Sequence, residues 1–205
     1  MTGLRNKTVL VTGASRGIGR ATASALAETG AHVLVHYGRS APEAESLVSE
    51  IQTKGGRANA ISADLGTPNG AALLAKQVRS IVDDRLDVLV LNAGISKAAR
   101  IADYTVEDFD NLFATNVRSP FFLVQQLLRV LGEGSNIIVI SSIGSHAVVG
   151  TPGVEQALDR CLRLDQRSIR DFGQELGFHS WAARYSCQCS RARCDRYGYV
   201  EFYED

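Results

Sequence analysis

Short apolar runs alternate with amphipathic stretches over the first three-quarters of the chain. The apolar runs predict five strands, at about 9–11, 32–36, 58–62, 88–91 and 136–140. Between them, apolar residues recur at helical spacing over about 18–28, 41–54, 69–82 and 111–131. The run Val88–Leu91 is wholly apolar, as expected for a strand covered on both faces. Repeated strand–helix units predict the α/β class, with a doubly wound parallel sheet and right-handed crossovers.

Two of the predicted helices begin with capping signals. Ser40 is followed three residues later by Glu43, and Thr105 stands in the same relation to Asp108. In such a pair, the side chain of the first residue accepts the backbone N–H of the acidic residue. The acidic side chain in turn accepts the backbone N–H of the first residue. We therefore expect helices to start after Ser40 and after Thr105, the second leading into the long helix at about 111–131.

The pattern changes after about Gly153. Apolar periodicity fades, no lysine follows Lys97, and Trp181 and all four cysteines lie in the last quarter. No stretch there predicts a sixth or seventh strand, so we expect strands 1–5 to be intact and strands 6–7 to be missing or replaced by an irregular tail. The fifth strand would then be an exposed edge, with a protease-sensitive segment after about residue 154. The predicted domains are 1–153, which would bind a nucleotide, and 154–205, an atypical tail.

Composition and charge indicate which classes of partner to expect. The 205 residues are 45% hydrophobic and 21% charged, with a formal net charge of zero. This indicates a soluble globular protein and gives no reason to expect nucleic acid or an anionic membrane as a partner. No apolar stretch has the length of a membrane span, and the N-terminus lacks a signal-peptide pattern. The predicted location is the cytoplasm.

The cysteines suggest no metal. A disulfide framework is not expected in a chain without a secretion signal. A zinc site could be drawn with the residues Cys187, Cys189, Cys194 and His179. Their spacing fits no common zinc module, so no metal site is predicted.

A glycine-rich segment directly follows the first strand. Gly13 would permit the tight turn, Gly17 would let backbone N–H groups approach a pyrophosphate, and Gly19 would let the next helix pack closely. The positive end of that helix would face the anion. The strand, loop and helix occur in the order that such a Rossmann-like site needs. The predicted phosphate-binding residues are Gly13, Ser15, Arg16, Gly17, Ile18 and Gly19.

Further residues extend the pattern. The loop, together with Asp64, Asn92-Ala93-Gly94, Asn116 and Ser141-Ser142, resembles the short-chain dehydrogenase/reductase family of the classical type, from about Leu4 to Gly153. The resemblance implies that Asp64, with Leu65 beside it, binds the adenine amino group. It also implies that Asn92, Ala93 and Gly94 line the floor of the cofactor site. Taken singly, Asp64 could equally be a loop carboxylate, and Asn92 to Gly94 a turn that ends a strand.

The end of the second strand bears on the choice of cofactor. An acidic residue there would pair with the ribose hydroxyls of NAD and repel a 2′-phosphate. This chain has His36-Tyr37-Gly38-Arg39-Ser40 at that place, without a carboxylate. Arg39, with Ser40 beside it and Arg16 in the glycine loop, could clamp the 2′-phosphate, so NADP(H) is the predicted cofactor. The alternative is two solvated surface arginines.

The catalytic residues implied by the resemblance are only partly present. Asn116 and Ser142 match the family's asparagine and serine, and Ser141 and Ser145 could replace the serine. Each also has a plain structural interpretation, as a helix amide or a turn residue. The family's tyrosine passes a proton while nicotinamide exchanges hydride, and a lysine four residues later lowers its pKa. Glu155 stands where that tyrosine is expected, and Tyr-x-x-x-Lys occurs nowhere in the chain.

The genetic code offers a reason for this gap. Residues 161–163, Cys-Leu-Arg, can be encoded TGC CTA CGC, which gives Ala-Tyr-Ala when read one base later. With codons chosen within their degeneracy, 161–205 read in this way can contain Tyr-x-x-x-Lys and the family's sixth-strand segment Arg-Val-Asn-Ala-Val-Ala-Pro-Gly. We hypothesise that the tail is an out-of-frame translation of a dehydrogenase gene, ended early by a chance stop codon.

Together, these residues predict an NADP(H)-dependent oxidoreductase that reduces a carbonyl or oxidises an alcohol on a small organic molecule, with impaired activity in this chain. The alternatives are a catalytically inactive nucleotide-binding protein, a truncated gene product, and a zinc-bound interaction tail. The resemblance also implies a homo-oligomer. The altered tail disfavours that assembly, because the helix after the family's tyrosine forms much of the contact.

Overall fold

The computed structural model describes residues 3–82, 84–97, 99 and 101–141, together with the backbone of three short strands in the tail. The strands are β1 (Thr8–Val11), β2 (His32–Tyr37), β3 (Arg57–Ser62), β4 (Val88–Leu91), β5 (Asn136–Ile140), β6 (Cys187–Ser190), β7 (Arg193–Cys194) and β8 (Val200–Glu201). The α-helices are α1 (Gly17–Glu28), α2 (Ala41–Thr53), α3 (Gly70–Ile81), α4 (Val106–Phe113) and α5 (Ser119–Leu127). Within these residues, no helix is both long enough and apolar enough to cross a membrane.

The main sheet is parallel and has the order β3-β2-β1-β4-β5-β6. The predicted doubly wound, Rossmann-like α/β fold is therefore confirmed. The strand order changes direction between β1 and β4, because β2 and β3 lie on one side of β1 and the later strands on the other. In such sheets, a crevice opens at this point beyond the carboxyl ends of the strands.

The sheet corrects one prediction about the tail. The sequence predicts no sixth strand and leaves β5 at the edge, but Cys187–Ser190 pairs with β5 in parallel, from Ile137 with Cys187 to Ile140 with Ser190. The sequence Cys-Gln-Cys-Ser has neither the continuous apolar character nor the β-branched residues typical of a buried parallel strand. This explains why the pattern gave no signal there.

Two apolar layers cover the sheet. Leu10 and Leu34 point to one face, against α3 and α5, and Val9 and Val33 point to the other, against α1 and α2. All four side chains are fully buried. Successive side chains of a strand alternate between faces, so a strand with both faces covered must be apolar throughout. The core thus fixes the strands that carry the loops described next.

The segment after β4 departs from the predicted long helix at about 111–131, which is interrupted. Thr105 and Asp108 form the expected capping box, so α4 begins at Val106. A π-helical turn, Ala114–Arg118, then separates α4 from α5. Such turns insert an extra residue and redirect the side chains that follow. The predicted box at Ser40 is wrong in one respect, because Ser40 is the N-cap residue of α2 but makes no side-chain cap bond.

Candidate functional site

Each of the three glycines after β1 meets a different structural requirement. Gly13 has a φ of +64°, and a Cβ there would lie 2.9 Å from the Cα of Ala93. At Gly19, a Cβ would lie 2.5 Å from the carbonyl oxygen of Gly13. Gly17 has a φ of +57°, but a Cβ there would meet no atom within 4 Å. Gly13 and Gly19 thus allow close internal packing, whereas Gly17 faces open space.

The first turn of α1 is open to an anion. Its N-cap residue, Arg16, is extended and makes no side-chain cap bond, and the turn contains no acidic residue. The first amides of a helix have no acceptor within the helix, and the helix dipole adds partial positive charge there. Arg16 and Gly17 are both exposed and border the same region. This arrangement can hold a phosphate group.

Thr12 ties the loop after β4 to the loop after β1. Its buried hydroxyl accepts the backbone N–H groups of Asn92 and Ala93, each at 2.9 Å, and donates to the carbonyl of Val90 at 3.2 Å. The side-chain amide of Asn92 in turn donates to the carbonyls of Thr12 and Gly13, at 2.9 and 3.2 Å. The floor predicted from Asn92 and Ala93 therefore lies directly against the glycine loop.

The imidazole ring of His36 supports the same loop from beneath. Its Nδ1 accepts the N–H of Gly13 at 3.1 Å, and its Nε2 lies 3.0 Å from the carbonyl oxygen of Ala63. The residue is 2% exposed. Burial lowers the pKa of His36 from 6.5 to about 4, although the bond to Ala63 partly opposes this shift. The ring is therefore neutral at pH 7.

Arg39 and Asp64 meet beyond the carboxyl ends of β2 and β3. Their closest side-chain nitrogen and oxygen are 3.6 Å apart, and the two side chains are 91% and 47% exposed. The carboxylate of Asp64 also accepts the N–H of Gly66 at 2.9 Å. Ser40 follows at the start of α2, and Leu65 is buried beside Asp64. A cation and a carboxylate are thus both available to a ligand that extends from the glycine loop.

Asn116 lies in the π-helical turn and is buried. Its Oδ1 accepts the N–H of Ile95 at 2.8 Å, and its Nδ2 donates to the carbonyl of Ile95 at 2.9 Å. The side chain therefore fixes the segment that follows Gly94.

The structure brings the predicted cofactor residues to one edge of the sheet. The loops after β1, β2, β3 and β4 and the first turn of α1 carry them, and Asn116 adjoins the loop after β4. Ser141 directly follows β5 at the same edge. Ser142, Ser145 and Glu155 lie outside the described residues, as do His179 and the cysteine side chains. Among the described residues, no three His, Cys, Asp or Glu side chains come together as metal ligands.

Sequence reasoning missed two residues of this site. The glycine motif gives no signal for Thr12, and the end of the second strand marks His36 only as a residue that is not acidic. A signal was available for His36, because a histidine in an otherwise apolar strand must find hydrogen-bond partners when it is buried. The partners themselves, Gly13 and Ala63, could be identified only from the structure.

Comparison with known proteins agrees with this geometry. The sequence profile described as short chain dehydrogenase matches residues 7–154. Versicolorin reductase 1 of Aspergillus parasiticus is 41% identical over 171 residues, which cover 79% of this chain. The chain spans 64% of the length of that relative.

Solved structures show the same fold. The landomycin C-6 ketoreductase LanV, solved with bound NADP and rabelomycin, has a TM-score of 0.80 and 33% identity, over 91% of this chain and 76% of that one. A short chain dehydrogenase from Burkholderia cenocepacia, solved in complex with NADP, has a TM-score of 0.81 and 33% identity, over 91% and 73% of the two chains. The profile match covers well over half of the sequence, so the chain belongs to the short-chain dehydrogenase family.

Proposed function

We propose that this chain binds NADP(H) through residues 1–153 and derives from an enzyme that interconverts a carbonyl and an alcohol. The observation that carries the proposal is the first turn of α1, which has no side-chain cap and begins at Gly17, a residue that faces open space. Backbone N–H groups there would hold the bridging phosphates of a dinucleotide. Ser15, Arg16 and Ile18 complete this phosphate-binding segment.

The 2′-phosphate of NADP(H) would lie between the ends of β2 and β3. Arg39 is almost fully exposed, and its acidic partner among the described residues is Asp64, at 3.6 Å, so it can turn toward a phosphate at little cost. Ser40 stands at a helix start without a side-chain cap bond, and its hydroxyl can add a donor. Asp64 would accept from the adenine amino group, with Leu65 packing beneath. Two relatives of known structure contain bound NADP, which supports the choice of this cofactor.

When bound, the nicotinamide would supply the hydride of the reaction. Asn92, Ala93 and Gly94 would form the floor beneath it, held in place by Thr12. Asn116 and Ser142 are the proposed catalytic residues. Asn116 fixes the backbone of Ile95 at the border of the crevice, and Ser142 would orient the carbonyl of the substrate.

Turnover by this exact chain is proposed to be weak. The sequence contains no Tyr-x-x-x-Lys, so the family's proton donor and the lysine that lowers its pKa are missing. Loss of a general acid usually lowers a rate by a factor of about 10² to 10⁴. This observation also favours the second candidate function, a nucleotide-binding protein without catalysis. Relatives that are named as reductases support a small carbonyl compound as the ancestral substrate. The cytoplasm remains the proposed location, on composition alone.

Calorimetric titration with NADPH and NADH, together with a ketone-reduction assay, tests the proposal. We expect one NADPH to bind per chain, more tightly than NADH, with turnover at or near the background rate. Binding without turnover supports the noncatalytic function, and measurable turnover requires a different proton donor. A folded sample that binds neither coenzyme contradicts the proposal.

A further inference from the structure

We propose that His36 is a positioning residue for the nucleotide loop, and that its neutral ring sets the distance between the phosphate side and the adenine side of the site. The residue lies near the carboxyl end of β2, which is central to this half of the sheet. Because His36 is only 2% exposed, its ring offers almost no surface to a substrate. The inference rests on the proposed function, because it concerns how the site is shaped for a dinucleotide.

His36 binds two consecutive amides of the glycine loop. The ring Nδ1 accepts the N–H of Gly13 at 3.1 Å, and the main-chain carbonyl accepts the N–H of Ala14 at 2.8 Å. Both donors are thereby occupied within the protein. The amides from Ser15 onward are not bound by His36, and they continue into the open first turn of α1.

The same ring reaches the loop after β3. Since Nδ1 must be an acceptor for Gly13, the proton of the neutral ring is on Nε2, which donates to the carbonyl of Ala63 at 3.0 Å. Ala63 directly precedes Asp64, and its own N–H donates to the carbonyl of Tyr37 at 3.1 Å. One side chain therefore joins the loop that would hold the phosphates to the residue that would hold adenine.

The length of the side chain makes this role testable by two substitutions. The Oδ1 of asparagine lies close to the position of histidine Nδ1, so Asn can accept from Gly13 but cannot reach Ala63. The amide nitrogen of glutamine lies close to the position of histidine Nε2, so Gln can donate to Ala63 but leaves the Gly13 N–H without its acceptor. A buried donor left without a partner costs about 1–3 kcal/mol.

The experiment compares His36→Asn with His36→Gln in the full chain. The readouts are the hydrogen-exchange rate of the Gly13 amide in the free protein and the Kd for NADPH. We expect H36Q to raise the exchange rate of the Gly13 amide by about tenfold, and H36N to change it by less than about threefold. Each variant breaks the link between Gly13 and Ala63 at one end, so both should raise the Kd for NADPH by about threefold or more. His32→Asn is the matched control, because His32 is at the opposite end of the same strand and its ring binds Asn59 instead.

The outcomes separate this inference from the proposed function. Equal exchange rates of Gly13 in H36N and H36Q overturn the positioning role, whatever NADPH does. A wild-type chain that binds no NADPH contradicts the proposed function. The exchange rates of Gly13 still test whether His36 holds the loop, because they are measured in the free protein. Should H36Q fail to fold, nitrogen NMR of the wild-type ring gives the answer. A proton on Nε2 supports the inference, and a proton on Nδ1 overturns it.

Discussion

The side-chain amide of Asn116 binds both backbone groups of Ile95, with bonds of 2.8 Å to the N–H and 2.9 Å to the carbonyl. The two residues are 21 positions apart. This pair holds the segment after β4 against the π-helical turn between α4 and α5 and so fixes one side of the crevice. Asn116 itself lies in the π-helical turn and is buried there.

Replacing Asn116 with Ala should therefore loosen this side of the crevice. Both backbone groups of Ile95 would lose their partner, and we expect the free energy of unfolding to fall by about 1–3 kcal/mol. Urea unfolding measures the effect. Asn111→Ala, on the exposed face of α4, is the matched control and should change stability by less than about 0.5 kcal/mol. Equal losses in the two variants would show that the bonds to Ile95 contribute nothing.

Gly17 and Gly55 allow a matched test of the phosphate site. Both have a positive φ, +57° and +82°, and a Cβ at either would meet no atom within 4 Å. Substitution by Ala should therefore cost each about 1–2 kcal/mol of backbone strain. Only Gly17 lies in the glycine loop, so G17A should also weaken NADPH binding by about tenfold or more. Similar affinities of G17A and G55A for NADPH would argue against a phosphate at α1.

Arg39→Ala should reduce the preference for NADPH over NADH. A charge-assisted bond to the 2′-phosphate would be lost, so we expect the Kd for NADPH to rise by about tenfold and the Kd for NADH to stay the same. Arg57→Ala is the control, since Arg57 is exposed at the opposite end of β3. If R39A raised the Kd for NADPH and the Kd for NADH equally, Arg39 would not bind the 2′-phosphate.

The pKa of His36 predicts how stability depends on pH. Burial lowers it to about 4 in the folded chain, from 6.5, so the unfolded chain binds the proton first as the pH falls. The neutral ring of His36 therefore contributes fully to the free energy of unfolding above pH 6.5. This contribution is lost as the pH falls toward 4, by about 3 kcal/mol in total. Urea unfolding at pH 7, 5.5 and 4.5 should show this decline. In H36N the decline should be much smaller, and an identical profile would assign it to other groups.

The coding DNA tests the explanation for the tail. If residues 161–205 are out of frame, the codons for Cys161, Leu162 and Arg163 must permit Ala-Tyr-Ala one base later, and the whole segment must permit Tyr-x-x-x-Lys. Correcting the frame should restore ketone reduction with NADPH. Codons that forbid the motif in the shifted frame would refute the hypothesis. The segment that would encode Val-Asn-Ala-Val in that frame coincides with β6 at Cys187–Ser190.

The sheet could be predicted from local patterns because its strands are covered on both faces. Val88–Leu91 and Asn136–Ile140 have the predicted boundaries, since continuous apolar runs end where turns begin. The break of the long helix was not predictable, because the bonds of Asn116 to Ile95 join residues far apart in sequence. β6 was not predictable either, since its pairing with β5 depends on tertiary position rather than on the residues Cys-Gln-Cys-Ser.

The site follows the same division. The glycine spacing predicted the loop, because a positive φ at Gly13 and close packing at Gly19 are local demands. The supports of that loop, Thr12 and His36, depend on which strands are neighbours and so required the structure.

The most direct test follows the backbone amides at the start of α1 in a ¹H–¹⁵N spectrum while NADP⁺ is added. If these amides hold the phosphates, the signals of Gly17 and Ile18 should shift strongly in a saturable manner, whereas that of Gly55 should not move. Saturable binding that leaves Gly17 and Ile18 unchanged, or no binding by the folded chain, would contradict the account.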